Sequence, residues 1–255
     1  MKKLALLLLL VPVFIGCNSN AKSNAKKEKE VVTTAKKYPE AIVNVFKKHG
    51  GIEKWNTMKT LTFSLKGEKH ITDLPSRKAL VKSEKYALGF NGKDVWLQRQ
   101  DTTAFKGNPE FYYNLYFYFY AMPFVLADDG IVYSETAPLV FEGVSYPGIK
   151  ISYGADVGIS PDDNYFIYYN PDTYQMEWLG YTVTYFSKKA TNKTNIIKYD
   201  DWENVNGLLL PKSLIWYTKD EDGKPLKPRG EATVFSSVEI NETSLPDNIF
   251  EKSNY

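Results

Sequence analysis

The chain has 255 residues with 32 basic and 30 acidic side chains, a near balance that gives no basis for nucleic-acid binding. It holds a single cysteine and two histidines, which excludes an internal disulfide framework and a histidine-rich metal site.

The first seventeen residues read MKKLALLLLLVPVFIGC. Lys2 and Lys3 precede an apolar run from Leu4 to Ile15, too short to span a bilayer and shaped like a secretory signal. The run ends in Phe14-Ile15-Gly16-Cys17, which resembles a bacterial lipobox, with Phe where Leu is usual. The resemblance implies cleavage after residue 16 and acylation of Cys17, the sole thiol. Removing residues 1–16 leaves 30 basic residues against 30 acidic ones. Residues 18–37 (NSNAKSNAKKEKEVVTTAKK) have no aromatic and many charges, so residues 17–37 are expected to be a lipidated Cys and a disordered tether. One domain is expected over 38–255.

Tyr38 to Gly51 predicts a helix. Pro39 and Glu40 open it, Ile42, Val45 and Phe46 share a stripe, Lys47, Lys48 and His49 suit its last turn, and Gly50-Gly51 ends it. Ile52–Thr57 adds a short turn carrying Trp55. From Thr60 the period becomes two, with Leu61, Phe63 and Leu65 on one face. Further strands are expected at 70–73, 77–82, 86–90, 94–98, 131–134, 140–145, 149–153, 165–169, 176–185, 195–203, 208–217 and 232–239. Asn91-Gly92 and Asn206-Gly207 are hairpin signals. So many short strands predict an α+β protein built on one large curved antiparallel sheet.

Between these strands runs FYYNLYFYFYAMPFVLAD, residues 111–128. Asn108-Pro109-Glu110 gives it a helix start and Pro123 a stop. On a helix, Phe111, Leu115, Phe119 and Met122 form a hydrocarbon stripe, expected in the core. Tyr112, Tyr113, Tyr116 and Tyr120 fall on the other side beside Phe117. A strand would also sort these residues, but the start and stop signals favour the helix. At about 150–250 Å² per ring, the tyrosine side must be covered by something. Core, ligand wall and membrane patch are the three possible uses.

HGGIEKW (49–55), GFNGKDVW (89–96), NPDTYQMEWLGY (170–181) and YDDWENVNGLLLPKSL (199–214) together resemble an uncharacterised Bacteroidota outer-membrane lipoprotein family. The last stretch is similar to a strand–turn–strand unit of the LolA-like lipoprotein carriers, through Val205, Gly207, Leu208, Leu210 and Pro211. The resemblance implies an incomplete half-barrel with helices packed on its concave face. It also implies an apolar cavity for a lipid or acylated protein, and no catalytic residues. Candidate ligand-binding residues are Tyr112, Tyr113, Tyr116, Phe117, Tyr120, Phe124, Trp96 and Trp178, with Cys17 as the lipidation site. No cofactor is implied. The expected partners are the membrane, through the N-terminal lipid, and a lipid or acyl-chain ligand. Two alternatives stay open: a structural lipoprotein that binds another envelope protein, and a glycan-binding surface lipoprotein using Trp96, Trp178, Trp202 or Trp216.

Overall fold

A computed structural model describes residues 38–154 and 162–253. Cys17, the signal segment and the tether lie outside the described residues. Tyr38–Tyr255 forms one compact unit by itself.

Helix α1 (Glu40–Lys48) follows Pro39 and buries Ile42, Val45 and Phe46. The glycines after it are required. Gly50 has φ +107°, and a Cβ there would lie 2.4 Å from the Gly207 carbonyl. Helix α2 (Ile52–Thr57) then buries Trp55. Five strands follow: β1 (Thr60–Leu65), β2 (Glu68–Asp73), β3 (Ala79–Lys82), β4 (Tyr86–Phe90) and β5 (Val95–Arg99). They form an antiparallel ladder in sequence order.

The aromatic stretch is helical but not one helix. Helix α3 (Pro109–Tyr112) starts with the Asn108 side chain accepting from Phe111 N–H at 3.1 Å. Helix α4 (Leu115–Tyr120) begins again after Asn114. The Asn114 side chain makes no capping hydrogen bond, and the break falls at a residue of low helix propensity. A cis Met122–Pro123 bond and a 3-10 turn over Phe124–Ala127 close the segment.

The second half is all strand: β6 (Ile131–Phe141), β7 (Val144–Tyr153), β8 (Tyr165–Tyr169), β9 (Met176–Tyr181), β10 (Asn195–Val205), β11 (Leu208–Lys219), β12 (Pro225–Pro228), β13 (Thr233–Val234) and β14 (Ser236–Asn241). Strands β6 to β12 pair antiparallel in chain order, and β13 adds to β11. Strand β14 pairs with β1 in the other ladder. Only Phe235 separates β13 from β14, so one extended run passes from ladder to ladder, with Ser237 at φ +50°. The expected single sheet is thus two ladders stitched at Phe235 into a curled half-barrel.

Most expected strands shift by a few residues at their ends, and three departures are larger. The strand placed at 140–145 is a hairpin turn: Glu142 and Gly143 both have positive φ and connect β6 to β7. The strand placed at 176–185 ends at Tyr181, because the Thr184 N–H bonds the Asp163 side chain at 2.6 Å. Strand β12 was not expected. Its two prolines are tolerated because it is an edge.

Side chains of α1, α2, α4 and the 3-10 turn share one core with inward residues of both ladders. Phe124 stacks on Trp55 at 4.6 Å, and Tyr120 stacks on Phe63 at 4.7 Å. His49, buried at the end of α1, ties that core together. Its Nε2 accepts from the Met176 N–H at 3.1 Å, so its Nδ1–H donates to the Leu209 carbonyl, also at 3.1 Å. Burial lowers its pKa to about 4, against the Leu209 bond, which raises it; the Lys48 charge adds to the lowering.

Candidate functional site

The cavity expected between the tyrosine side of the aromatic helix and the sheet is filled by the protein itself. Tyr120 is fully buried, wedged between Phe63 and Phe235 at 4.7 and 4.6 Å. Phe124 is also fully buried, and Phe117 is buried with the Arg77 guanidinium 5.0 Å from its ring centre. These three residues are core, not cavity wall.

The opening lies on the other side. Phe111 and Leu115, expected in permanent core, are only half-buried. With Phe119, Tyr165, Tyr181 and Trp216 they wall a half-open cleft of about 200 Å³. Helices α3 and α4 supply one wall. The sheet supplies the other, where Tyr165 on β8 pairs directly with Tyr181 on β9. The walls are held in place. Trp216 Nε1–H donates to the Tyr181 hydroxyl at 2.9 Å, and the Tyr199 hydroxyl donates to the Phe119 carbonyl at 2.7 Å. Phe119 meets Tyr181 and Trp216 edge-on, with ring centres 5.2 and 5.8 Å apart.

Polar groups in the cleft are few and employed. Asp163 accepts from Thr184 N–H, and Thr182 Oγ1 accepts from Asn164 N–H at 2.8 Å. Burial raises the Asp163 carboxyl above its ordinary value, although bonds from Thr184 and Thr182 oppose the shift. Tyr116 borders the cleft, and its hydroxyl accepts from Lys66 Nζ at 3.3 Å. Such a surface is suited by its chemistry to hydrocarbon. Its carboxylate would repel an anionic headgroup placed inside.

Behind Tyr116 sits a buried polar cluster. Glu68 is 8% exposed, and His70 Nε2–H donates to its Oε2 at 2.9 Å. The Tyr112 hydroxyl lies 3.0 Å from both Glu68 oxygens, and the Tyr86 hydroxyl donates to Oε1. Burial alone would raise the Glu68 carboxyl. The hydrogen bonds from His70, Tyr86 and Tyr112, together with the charge interaction with His70, outweigh it and hold the group below its ordinary value. With three donors on one carboxylate, the cluster fastens α3 to β2 and β4. Among the described residues no group of three or more His, Cys, Asp or Glu could hold a metal ion.

The other candidates are scattered. Tyr113 packs on Phe90, with ring centres 5.3 Å apart. Trp178 is fully buried in a separate cluster with Leu139 and Ile196, on the opposite face of the sheet from Leu179 and Ile197. Trp96, on β5, is half-buried. It lines an open groove of about 550 Å³ with Leu80, Lys82, Ala87, Gln98 and Glu251. Trp202 lies against His49, with ring centres 4.4 Å apart. The four tryptophans proposed for glycan stacking therefore form no row, and none is exposed.

No family model matches the chain, and no curated protein matches it. Solved structures do. A DUF1329 family protein from Desulfovibrio piger is 9% identical with a TM-score of 0.45, covering 84% of this chain and 98% of that one. A LolA superfamily protein from Nitrosomonas europaea is 9% identical with a TM-score of 0.39, covering 82% and 96%. An outer membrane lipoprotein-sorting protein domain from Vibrio parahaemolyticus is 8% identical with a TM-score of 0.41, covering 76% and 88%. These likenesses concern the chain path; they assign no ligand and no residue to this protein.

Proposed function

We propose that this is an exported, non-catalytic envelope protein, anchored through Cys17 at the outer membrane, that binds the apolar end of a lipid or acylated protein. The observation that carries the proposal is the cleft between α3–α4 and β8, β9 and β11, lined by eight aromatic or aliphatic side chains beside Asp163 and Thr182. A volume of about 200 Å³ is below the range of roughly 300–1,000 Å³ usual for whole small-molecule sites. The cleft therefore takes one end of a ligand and leaves the remainder outside. The Asp163 carboxylate fixes which end: hydrocarbon enters and an anionic headgroup stays out.

Native mass spectrometry on the protein purified from its own cells tests this. A lipid-sized adduct is expected, and Leu115→Trp, which fills the cleft, should remove it. Finding no adduct, or the same adduct on the filled variant, would contradict the proposal. Anchoring is tested separately: Cys17→Ser should move the chain from the membrane to the soluble fraction.

The second reading is an envelope protein partner, favoured by the groove beside Trp96. It is larger than the cleft and is lined by Lys82, Lys85, Glu84 and Arg99 together with the apolar Leu80 and Ala87. That mixture suits a polar protein surface better than an acyl chain.

A further inference from the structure

The loop from Thr182 to Thr194 (TVTYFSKKATNKT) leaves β9 at the cleft and carries three lysines and no acid. Phe186 on it is 67% exposed, more than any other large apolar residue described. It is not an isolated surface ring. Phe111 lies 4.9 Å from Phe186 and 5.1 Å from Tyr185, and the last two are 5.0 Å apart, so three rings form one cluster at the edge of the cleft that Phe111 lines. Lys188 Nζ sits 4.2 Å from the Tyr185 ring centre, while Lys188, Lys189 and Lys193 are all exposed. No carboxylate pairs with these three ammonium groups among the described residues. Two acids touch the loop and both are engaged by it: Glu110 accepts from the Tyr185 hydroxyl at 3.2 Å and braces the cluster, and Asp163 accepts from the Thr184 N–H at 2.6 Å. Lys219, bonded to Thr194 Oγ1 at 2.7 Å, adds a fourth positive charge beside Lys193.

The geometry points to a membrane-docking surface at the mouth of the cleft. Phe186, Tyr185 and Phe111 enter the headgroup boundary of an anionic bilayer, and Lys188, Lys189 and Lys193 contact its phosphates. Aromatic rings settle at that depth, and lysines near an anionic surface are attracted to it. A single exposed Phe would need no explanation. Three packed rings beside an acid-free run of lysines do, and their charge complements lipid phosphate. The surface is small, so docking is weak and reversible, which suits a chain that a separate N-terminal lipid would hold nearby. In purpose the inference rests on the proposed acyl site: the mouth would face the layer that supplies or receives the chain, with its headgroup left beside the lysines. In geometry it stands alone.

The test uses the full chain reconstituted in vesicles of phosphatidylcholine, with and without phosphatidylglycerol, each carrying brominated acyl chains. Phe186→Trp places a reporter at the exposed position, and the unmodified chain supplies the background from its native tryptophans. Fluorescence of the introduced indole should be quenched in the anionic vesicles. Neutralising the lysines to Gln should weaken docking by about fivefold per lysine. No quenching in either membrane, or equal quenching in both, would overturn the inference. Fatty-acid affinity measured on the same variants without vesicles separates this failure from a failure of the acyl site. Loss of docking with intact affinity would indict the surface alone.

Discussion

The interior around Tyr120 and the cleft around Leu115 are built from one aromatic run, five residues apart in sequence, yet they do opposite work. At Tyr120 the run meets Phe63 from β1 and Phe235 from the link between the two ladders, and the rings close on one another. At Leu115 the facing strands present Tyr165, Tyr181 and Trp216, the last two tied to each other, and a gap is left. Ring content does not decide whether a segment is core or wall. What decides it is whether the opposing side chains reach.

The contrast is broken most strongly at the interior. Tyr120→Ala should cost about 3–5 kcal/mol in urea denaturation, as deletion of a buried ring does. A loss below about 1 kcal/mol would mean the interior is not filled. His49 gives the next effect. Its pKa, lowered from 6.5 to about 4, stabilises the fold fully above pH 6.5, and that stabilisation is lost as pH falls toward 4. Below 6.5 the unfolded chain binds the proton first, so stability should drop by about 3 kcal/mol across that window. His49→Ala should flatten this part of the pH profile and lower stability at neutral pH.

Smaller effects sharpen the comparison. Leu115→Ala should cost about 1 kcal/mol, because the side chain is only half-buried, but should weaken fatty-acid binding about tenfold. Tyr120→Phe should be neutral or add about 1 kcal/mol, because the buried hydroxyl has no hydrogen-bond partner among the described residues. Its fatty-acid affinity should not change.

Much of the fold was legible. The stripe Ile42, Val45 and Phe46 and the turns Asn91-Gly92 and Asn206-Gly207 report local physics, and the structure keeps them. Glu142-Gly143 was misread because flanking apolar residues masked a turn in which both residues take positive φ. The site was less legible. Helical periodicity sorted the aromatic run into sides, but Asn114 interrupts the helix and the sides do not persist through it. Nor could one run show what it faces. Tyr165 and Tyr181 become a wall only through the β8–β9 register, and Trp216 only through β11. The ring-rich stretch YFIYY at 165–169 was the available signal. The Glu68–His70–Tyr112 cluster was hidden for the same reason, with α3 lying far along the chain from β2.

The central claim is that ligand enters the cleft and not the interior. Titrating a fluorescent fatty acid into the wild type, Leu115→Trp and Tyr120→Phe, with thermal melts of all three, tests it most directly. The account predicts that Leu115→Trp loses binding while still melting cooperatively near the wild-type temperature, and that Tyr120→Phe binds as the wild type does. Unimpaired binding by a folded Leu115→Trp would contradict it.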